Sequence, residues 1–177
     1  VTALLFSGCP RRFDPRADEI HSSSPEIESE YRSAEQLLRH GELQAADEAL
    51  QRFLTKYSVT AKDDPLIPVA TLLSARCARV LGQPARTRDL AQPLLQGTGN
   101  HAPWIIDRAK LELGLAQYRL GELTPARNLL ASLADQIVDS EDATELHATL
   151  ADLWLRENNP SQAARQLELF FAGQGVS

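Results

Sequence analysis

The stretch AKLELGLAQYRLGELTPARNLLASL, from Ala109 to Leu133, decides how the rest of the chain is parsed. Ala109, Leu113, Ala116 and Leu120 recur at helical intervals, and small residues alternating with leucine let a second helix come close along one face. Gly121 then closes the helix, because a residue that tolerates positive φ can turn the chain where a side chain would clash. Thr124 and Pro125 start another helix, the hydroxyl as cap and the proline in a first turn that needs no donor. Ala126, Leu130 and Leu133 give that helix its apolar face. The stretch predicts a hairpin of two short amphipathic helices.

The same frame recurs along the chain, and a recurring hairpin is the signature of a repeat architecture. Gly121, Leu123, Ala126, Leu130 and Leu133 are matched by Gly41, Leu43, Ala46, Leu50 and Phe53, and more weakly by Gly82, Pro84, Thr87, Ala91 and Leu94. A fourth copy reads Asn158, Pro160, Ala163, Leu167 and Phe170. Upstream of each turn stands a small residue, Ala34, Ala75, Gly114 or Ala151, followed three positions on by Leu37, Ala78, Gln117 or Trp154.

With Leu113-Gly114, Tyr118, Gly121 and Ala126, the third copy resembles a tetratricopeptide repeat, and Leu150-Ala151, Trp154, Ala163 and Phe170 resemble another. The resemblance covers residues 25–172 and implies an all-α, TPR-like solenoid of four helical hairpins, eight helices in all. The spacing exceeds the roughly 34 residues usual in that family, and the excess falls to longer helices or to connections such as Lys56 to Pro65 and Gly97 to Pro103. A helical bundle with the same small-residue periodicity is the other reading of the pattern.

Composition agrees with this class. With 177 residues and 43% apolar content, the chain can bury one sizeable core or one linear array of stacked repeats, and one structural domain is expected. Its apolar residues are mainly Leu and Ala, not the Val, Ile and aromatic runs that strands favour. A net charge of −6 argues against nucleic acid, which needs a concentrated excess of Lys and Arg.

The predicted helices follow from caps and prolines. Ser24-Pro25 opens the first, running to Arg39, with Glu26 and Glu28 set favourably against the helix dipole. The second spans Leu43 to Thr55. Asp64-Pro65 launches the third, through Leu81. The fourth starts at Ala85 and meets Pro93, which should leave it short, kinked or weak. Gln96 to Pro103 is the expected hinge, and the fifth helix starts at Pro103 with Trp104 as a packing anchor. The sixth ends near Val138, the seventh spans Asp142 to Glu157 and the eighth Pro160 to Phe171. The last five residues, 173–177, are expected to be a disordered tail.

The first nine residues, VTALLFSGC, form an apolar run closed by Ser7-Gly8-Cys9. They resemble the end of a bacterial lipoprotein signal, in which small residues precede a cysteine that receives a thioether-linked diacylglycerol. The resemblance implies that residues 1–8 are removed, that Cys9 is the lipidation site, and that residues 9–24, with Arg11, Arg12 and Arg16, form a flexible tether beside the headgroups. By the same resemblance, Pro10 in place of the Asp that retains such proteins in the inner membrane would permit outer-membrane sorting. The run is too short to span a bilayer. An ordinary apolar N-terminus packed on the first helix is the alternative.

Catalytic signals are sparse. Cys77 lies on an apolar face between Leu73 and Leu81, as a packing residue would. The four histidines lack metal-ligand spacing, His147 beside Glu145 reads as a solvated-face coincidence, and GTGN at Gly97 lacks a P-loop lysine. No catalytic residue, cofactor, metal or small-molecule substrate is expected.

What remains is a surface. In the family it resembles, the first helix of each hairpin lines a concave groove, which implies partner-binding roles for Tyr31, Arg39, Arg76, Arg79, Tyr118, Arg119 and Arg156, with Glu35, Leu115 and Asp152 beside them. Arg39, Arg119 and Arg156 each precede a turn residue by two positions, and aligned guanidinium groups could clamp carboxylates of a peptide or a partner's helix. Arginines at helix C-termini also offset the dipole, which is the plainer account. The expected function is a lipid-anchored scaffold that faces the periplasm and binds an envelope protein. Its layout is similar to lipoproteins that assist envelope assembly and to the N-terminal helical domain of penicillin-binding-protein activators, where a further domain follows. A soluble cytoplasmic adaptor without lipidation is the alternative.

Overall fold

A computed structural model describes residues 15–96, 101–136 and 140–173. The described residues are all-α, with eight helices and no strand. The helices are α1 (Pro25–Arg39), α2 (Leu43–Tyr57), α3 (Leu66–Val80), α4 (Pro84–Gln96), α5 (Pro103–Arg119), α6 (Leu123–Ala131), α7 (Ser140–Arg156) and α8 (Pro160–Gly173), preceded by a 3-10 turn at Pro15–Glu19.

The four turn positions read from the sequence are where the described backbone takes positive φ: 83° at Gly41, 74° at Gly82, 82° at Gly121 and 54° at Asn158. Asn is the residue other than Gly that enters this region most readily. Three of these turns share one hydrogen-bond scheme. The Gly41 N–H donates to the Leu38 carbonyl at 3.0 Å and the Glu42 N–H to Leu37 at 2.9 Å, and the same pair forms at Gly121 and Glu122 and at Asn158 and Asn159. This is the Schellman arrangement, which satisfies carbonyls left over at a helix end. The carbonyls of Glu42, Glu122 and Asn159 then accept from Ala46, Ala126 and Ala163. One residue therefore closes a helix with its N–H and opens the next with its C=O, and two helices reverse direction over a very short connection.

The chain divides into two compact units, Val1–Gly82 and Gln83–Ser177. In the first, α2 packs against both α1 and α3, and α1 also touches α3. Tyr31 of α1 meets Phe53 of α2 edge-on, with ring centroids 6.1 Å apart, and Phe53 meets Tyr57 at 5.1 Å. In the second, α5 lies against α4, α6 and α7, and α7 against α8. Its core gathers Leu111 and Leu115 of α5, Ala126 and Leu130 of α6, Leu133, and Leu146, Leu150 and Leu153 of α7. The small residues before the turns do what their size suggests. Ala34, Ala75 and Ala151 are buried, and a Cβ at Gly114 would stand 2.7 Å from Leu130 Cδ2, so α5 and α6 meet at a distance that only glycine allows. Trp104 and Cys77 are also buried.

Several sequence expectations are corrected. Helix α4 passes through Pro93 to Gln96, because Pro93 is exposed and sits in the last turn, where one lost donor costs little. The shortest helix is α6, which stops at Ala131 and not near Val138. There the Ser132 hydroxyl takes the Leu129 carbonyl at 2.7 Å, and the backbone tightens into a Leu133-to-Leu130 bond. Thr124 caps nothing, since α6 already begins at Leu123. Ser24 makes no side-chain cap either, whereas Asp64 does, its Oδ1 accepting the Leu66 N–H at 2.9 Å. Residues 15–24, expected within a flexible tether, hold the 3-10 turn and a hydrogen-bonded strap onto α1. The rest of the predicted tether, the signal remnant 1–8, Gly97 to Asn100 of the predicted hinge, and residues 174–177 of the predicted tail lie outside the described residues.

Candidate functional site

The strap places the first cluster of charges. Arg32 donates to the Ile20 carbonyl at 2.7 Å, and Glu28 accepts the Ser22 N–H at 2.7 Å, His21 Nδ1 at 3.0 Å and Arg32 Nε at 2.8 Å. Ser22 reaches onward to Asp64, the cap of α3. Burial works against the charged form of Glu28, yet the Ser22, His21 and Arg32 hydrogen bonds outweigh it and hold its carboxyl down at about 2. A carboxyl depressed in the fold stabilises the protein fully above its unfolded value, near 4.5, and that contribution disappears as pH falls toward 2. Thermal unfolding followed by circular dichroism should show the Glu28→Gln variant melting below the parent at pH 7, with the gap much narrower at pH 2.5. A gap that stays constant would mean that the Glu28 charge does not fasten the strap.

The residues expected to form the groove do not share one fate. Tyr31 is fully buried against Phe53, with its hydroxyl unbonded, and is a core residue and not a contact surface. Its burial follows from the repeat itself, since an aromatic ring facing α2 contributes more inside than out. Arg76 and Arg79 are buried as well, as are Glu35 and Leu115, so none of these presents an outward face. Arg39 is exposed, but it bonds Asp18 of the strap at 2.5 Å and Glu35 at 3.3 Å. These residues border a polar cleft of about 540 Å³ with His21, Arg32 and His40.

The other three predicted residues come together in the second unit, across α5 and α7. The Tyr118 hydroxyl donates to Asp152 at 2.7 Å, and Arg156 donates to the same carboxylate from one turn further along α7. The Arg156 guanidinium stands 6.0 Å from the centre of the Tyr118 ring. Arg119 reaches Glu145 at 3.1 Å. Burial, followed by the bond to the Asp152 carboxylate, raises the Tyr118 hydroxyl above its ordinary value and keeps it a donor at neutral pH. The arginines are thus already matched to carboxylates, and a simple clamp waiting for an acidic peptide is not what the side chains build. They build a band of alternating charge with a tyrosine ring in it, open to solvent at Arg119 and Arg156.

Two features of this unit escaped the sequence reading. Arg108 of α5 and Asp142 in the first turn of α7 form a buried ion pair. Its signal is a charge at a position flanked by Ile105, Ala109 and Glu112 at helical spacing. Second, His147 is not on a solvated face: it is buried between α7 and α8, with Nδ1 2.7 Å from Gln166 Oε1. Cys9 lies outside the described residues. Among the described residues no group of three metal-ligating side chains converges, and no helix is long and apolar enough to cross a membrane.

Fold and surface together define a helical-hairpin repeat protein with a charged band across neighbouring first helices. No protein-family model matches the chain, and no curated protein matches its sequence.

Proposed function

We propose that the chain is a non-catalytic interaction scaffold, held at a membrane through lipid on Cys9 and binding an envelope protein through the α5–α7 band. The observation that supports it most is the Tyr118, Asp152, Arg156 constellation. Two successive first helices are tied side by side so that an aromatic ring and two guanidinium groups share one exposed strip. Tyrosine and arginine are the residues that supply most binding energy at protein surfaces. Because the arginines are internally paired, a partner gains from the band by adding contacts to the ring and rim, with alternating charge setting register and orientation. An extended peptide or a partner helix of mixed charge fits such a strip.

The anchor rests on the Ser7-Gly8-Cys9 ending of an apolar run. Mass spectrometry of the protein from native membranes should find an acylated peptide beginning at Cys9, and an unmodified cysteine there would remove the anchor from the proposal. For the band, affinity purification of the Tyr118→Ala/Arg119→Ala variant should lose the envelope protein that co-purifies with the parent, at unchanged helicity. Equal recovery from both would sink the band as the binding site.

A further inference from the structure

Within the second unit, α4 and α5 wall a polar cleft of about 540 Å³. Along α4, Arg88, Gln92 and Gln96 follow one another at four-residue spacing and so share one face. Leu113 and Gln117 repeat that spacing on the opposite wall, α5, and Glu122 of the turn that follows closes one end. Arg88 is spent on that closure, reaching Glu122 at 3.2 Å and its neighbour Asp89 at 3.3 Å. The glutamines have no such use. Among the described residues no hydrogen bond engages the side chain of Gln92 or Gln96, and the side-chain oxygen of Gln117 is buried without a partner.

A buried oxygen without a donor costs stability, and folded chains keep few of them. This one stands in a cleft with two further amides whose donors and acceptors are unspent, and Leu95 and Leu113 add apolar surface between them. A carboxamide carries an acceptor and two donors in one plane. In an extended peptide the N–H and C=O of one residue point the same way, so a single amide accepts from the first and donates to the second. The spacing also agrees. Gln92 and Gln96 are about 6 Å apart along their helix, and alternate residues of an extended chain, which show the same edge, are about 6.6 Å apart. Charge sets the sign of the ligand, because one guanidinium, Arg88, stands against two carboxylates, Asp89 and Glu122. We propose that the α4–α5 cleft binds an extended, neutral or basic segment of a partner by its main chain. Gln92 and Gln96 each meet one of two alternate residues, and Gln117 offers its buried oxygen from the opposite wall. The site lies on the α4 side of α5 and does not rest on the reading of the α5–α7 band.

The experiment is fluorescence polarisation of a rhodamine-labelled peptide of alternating Thr and Val, titrated with the full chain, with circular dichroism as the control for folding. The parent should bind it saturably. Gln92→Met/Gln96→Met removes both amides from exposed helix positions and should weaken binding by about 10-fold or more at unchanged helicity. Gln117→Met should weaken it by about 3-fold or more, yet raise the melting temperature, because an orphan oxygen leaves the interior. N-methylation of every residue of the peptide strips its main-chain donors and keeps its side chains, and should abolish binding. A parent that does not bind the peptide overturns the inference. So does an N-methylated peptide that binds as well as the unmodified one, or binding that Gln92→Met/Gln96→Met leaves unchanged.

Discussion

Replacing Arg108 by alanine is expected to lower the unfolding free energy of the second unit by about 3–5 kcal/mol, the cost typical of breaking a buried ion pair from one side. Both side chains are nearly inaccessible, and Asp142 lies in the first turn of α7. The loss comes less from the missing attraction than from removing this guanidinium from a carboxylate that stays buried. Asp142→Ala should cost a similar amount. Arg108→Lys should recover only part of it, since an ammonium lacks the planar fork that meets a carboxylate. The double replacement Arg108→Met/Asp142→Leu should lie within about 1–2 kcal/mol of the parent, because an apolar pair of similar volume removes the charges together. Denaturant titrations of the four variants check this. Equal losses in Arg108→Ala and the double variant would show that the pair is not desolvated as described.

The second large effect is at the contact between α5 and α6. Leu130→Ala should cost about 2–5 kcal/mol, since a fully buried side chain is removed from the centre of the leucine cluster. Gly114 gives this prediction a sharper form. In a helix interior, Gly→Ala normally stabilises by up to about 1 kcal/mol. Here the added methyl would stand 2.7 Å from Leu130 Cδ2 and 2.8 Å from Cγ, and overpacking of that kind costs about 1–3 kcal/mol. Gly114→Ala should therefore destabilise the parent. In the Leu130→Ala background the obstruction is gone, and the same substitution should stabilise. Chemical denaturation of the two single variants and the double completes the cycle, and a Gly114→Ala effect of the same sign in both backgrounds would contradict the close approach.

The sequence was most legible where the physics is local. Gly41, Gly82, Gly121 and Asn158 could be placed as turns because positive φ is a property of one residue and its neighbours. Ala34, Ala75, Gly114 and Ala151 could be placed at helix contacts because small size has few other uses at that spacing. Legibility failed where a second element decides the outcome. Tyr31, Arg76 and Arg79 look outward on a helical wheel, and only the surrounding structure shows them buried. Thr124 looks like a cap until the Glu122 carbonyl takes the Ala126 N–H and α6 begins ahead of the hydroxyl. The strap at Pro15–Ser22 has no periodicity to announce it. It is held by Glu28, Arg32 and Asp64, residues whose sequence roles are helix charges and a cap. Arg39, Arg119 and Arg156 stand at equivalent repeat positions in the sequence, and Tyr118 directly precedes the second of them. The carboxylates that meet Tyr118, Arg119 and Arg156, namely Asp152 and Glu145, come from a neighbouring helix or from one turn along the same helix, and pairing of that kind is invisible until the helices are set side by side.

Site-specific photocrosslinking in cells tests the interaction surface most directly. A photoreactive amino acid replaces Arg119, on the exposed band of α5, or Asn128, exposed on α6, in otherwise intact protein. Irradiation should join position 119 to an envelope protein and leave position 128 without an adduct. No adduct at 119, or the same adduct from both positions, would contradict the assignment of the α5–α7 band as the working surface.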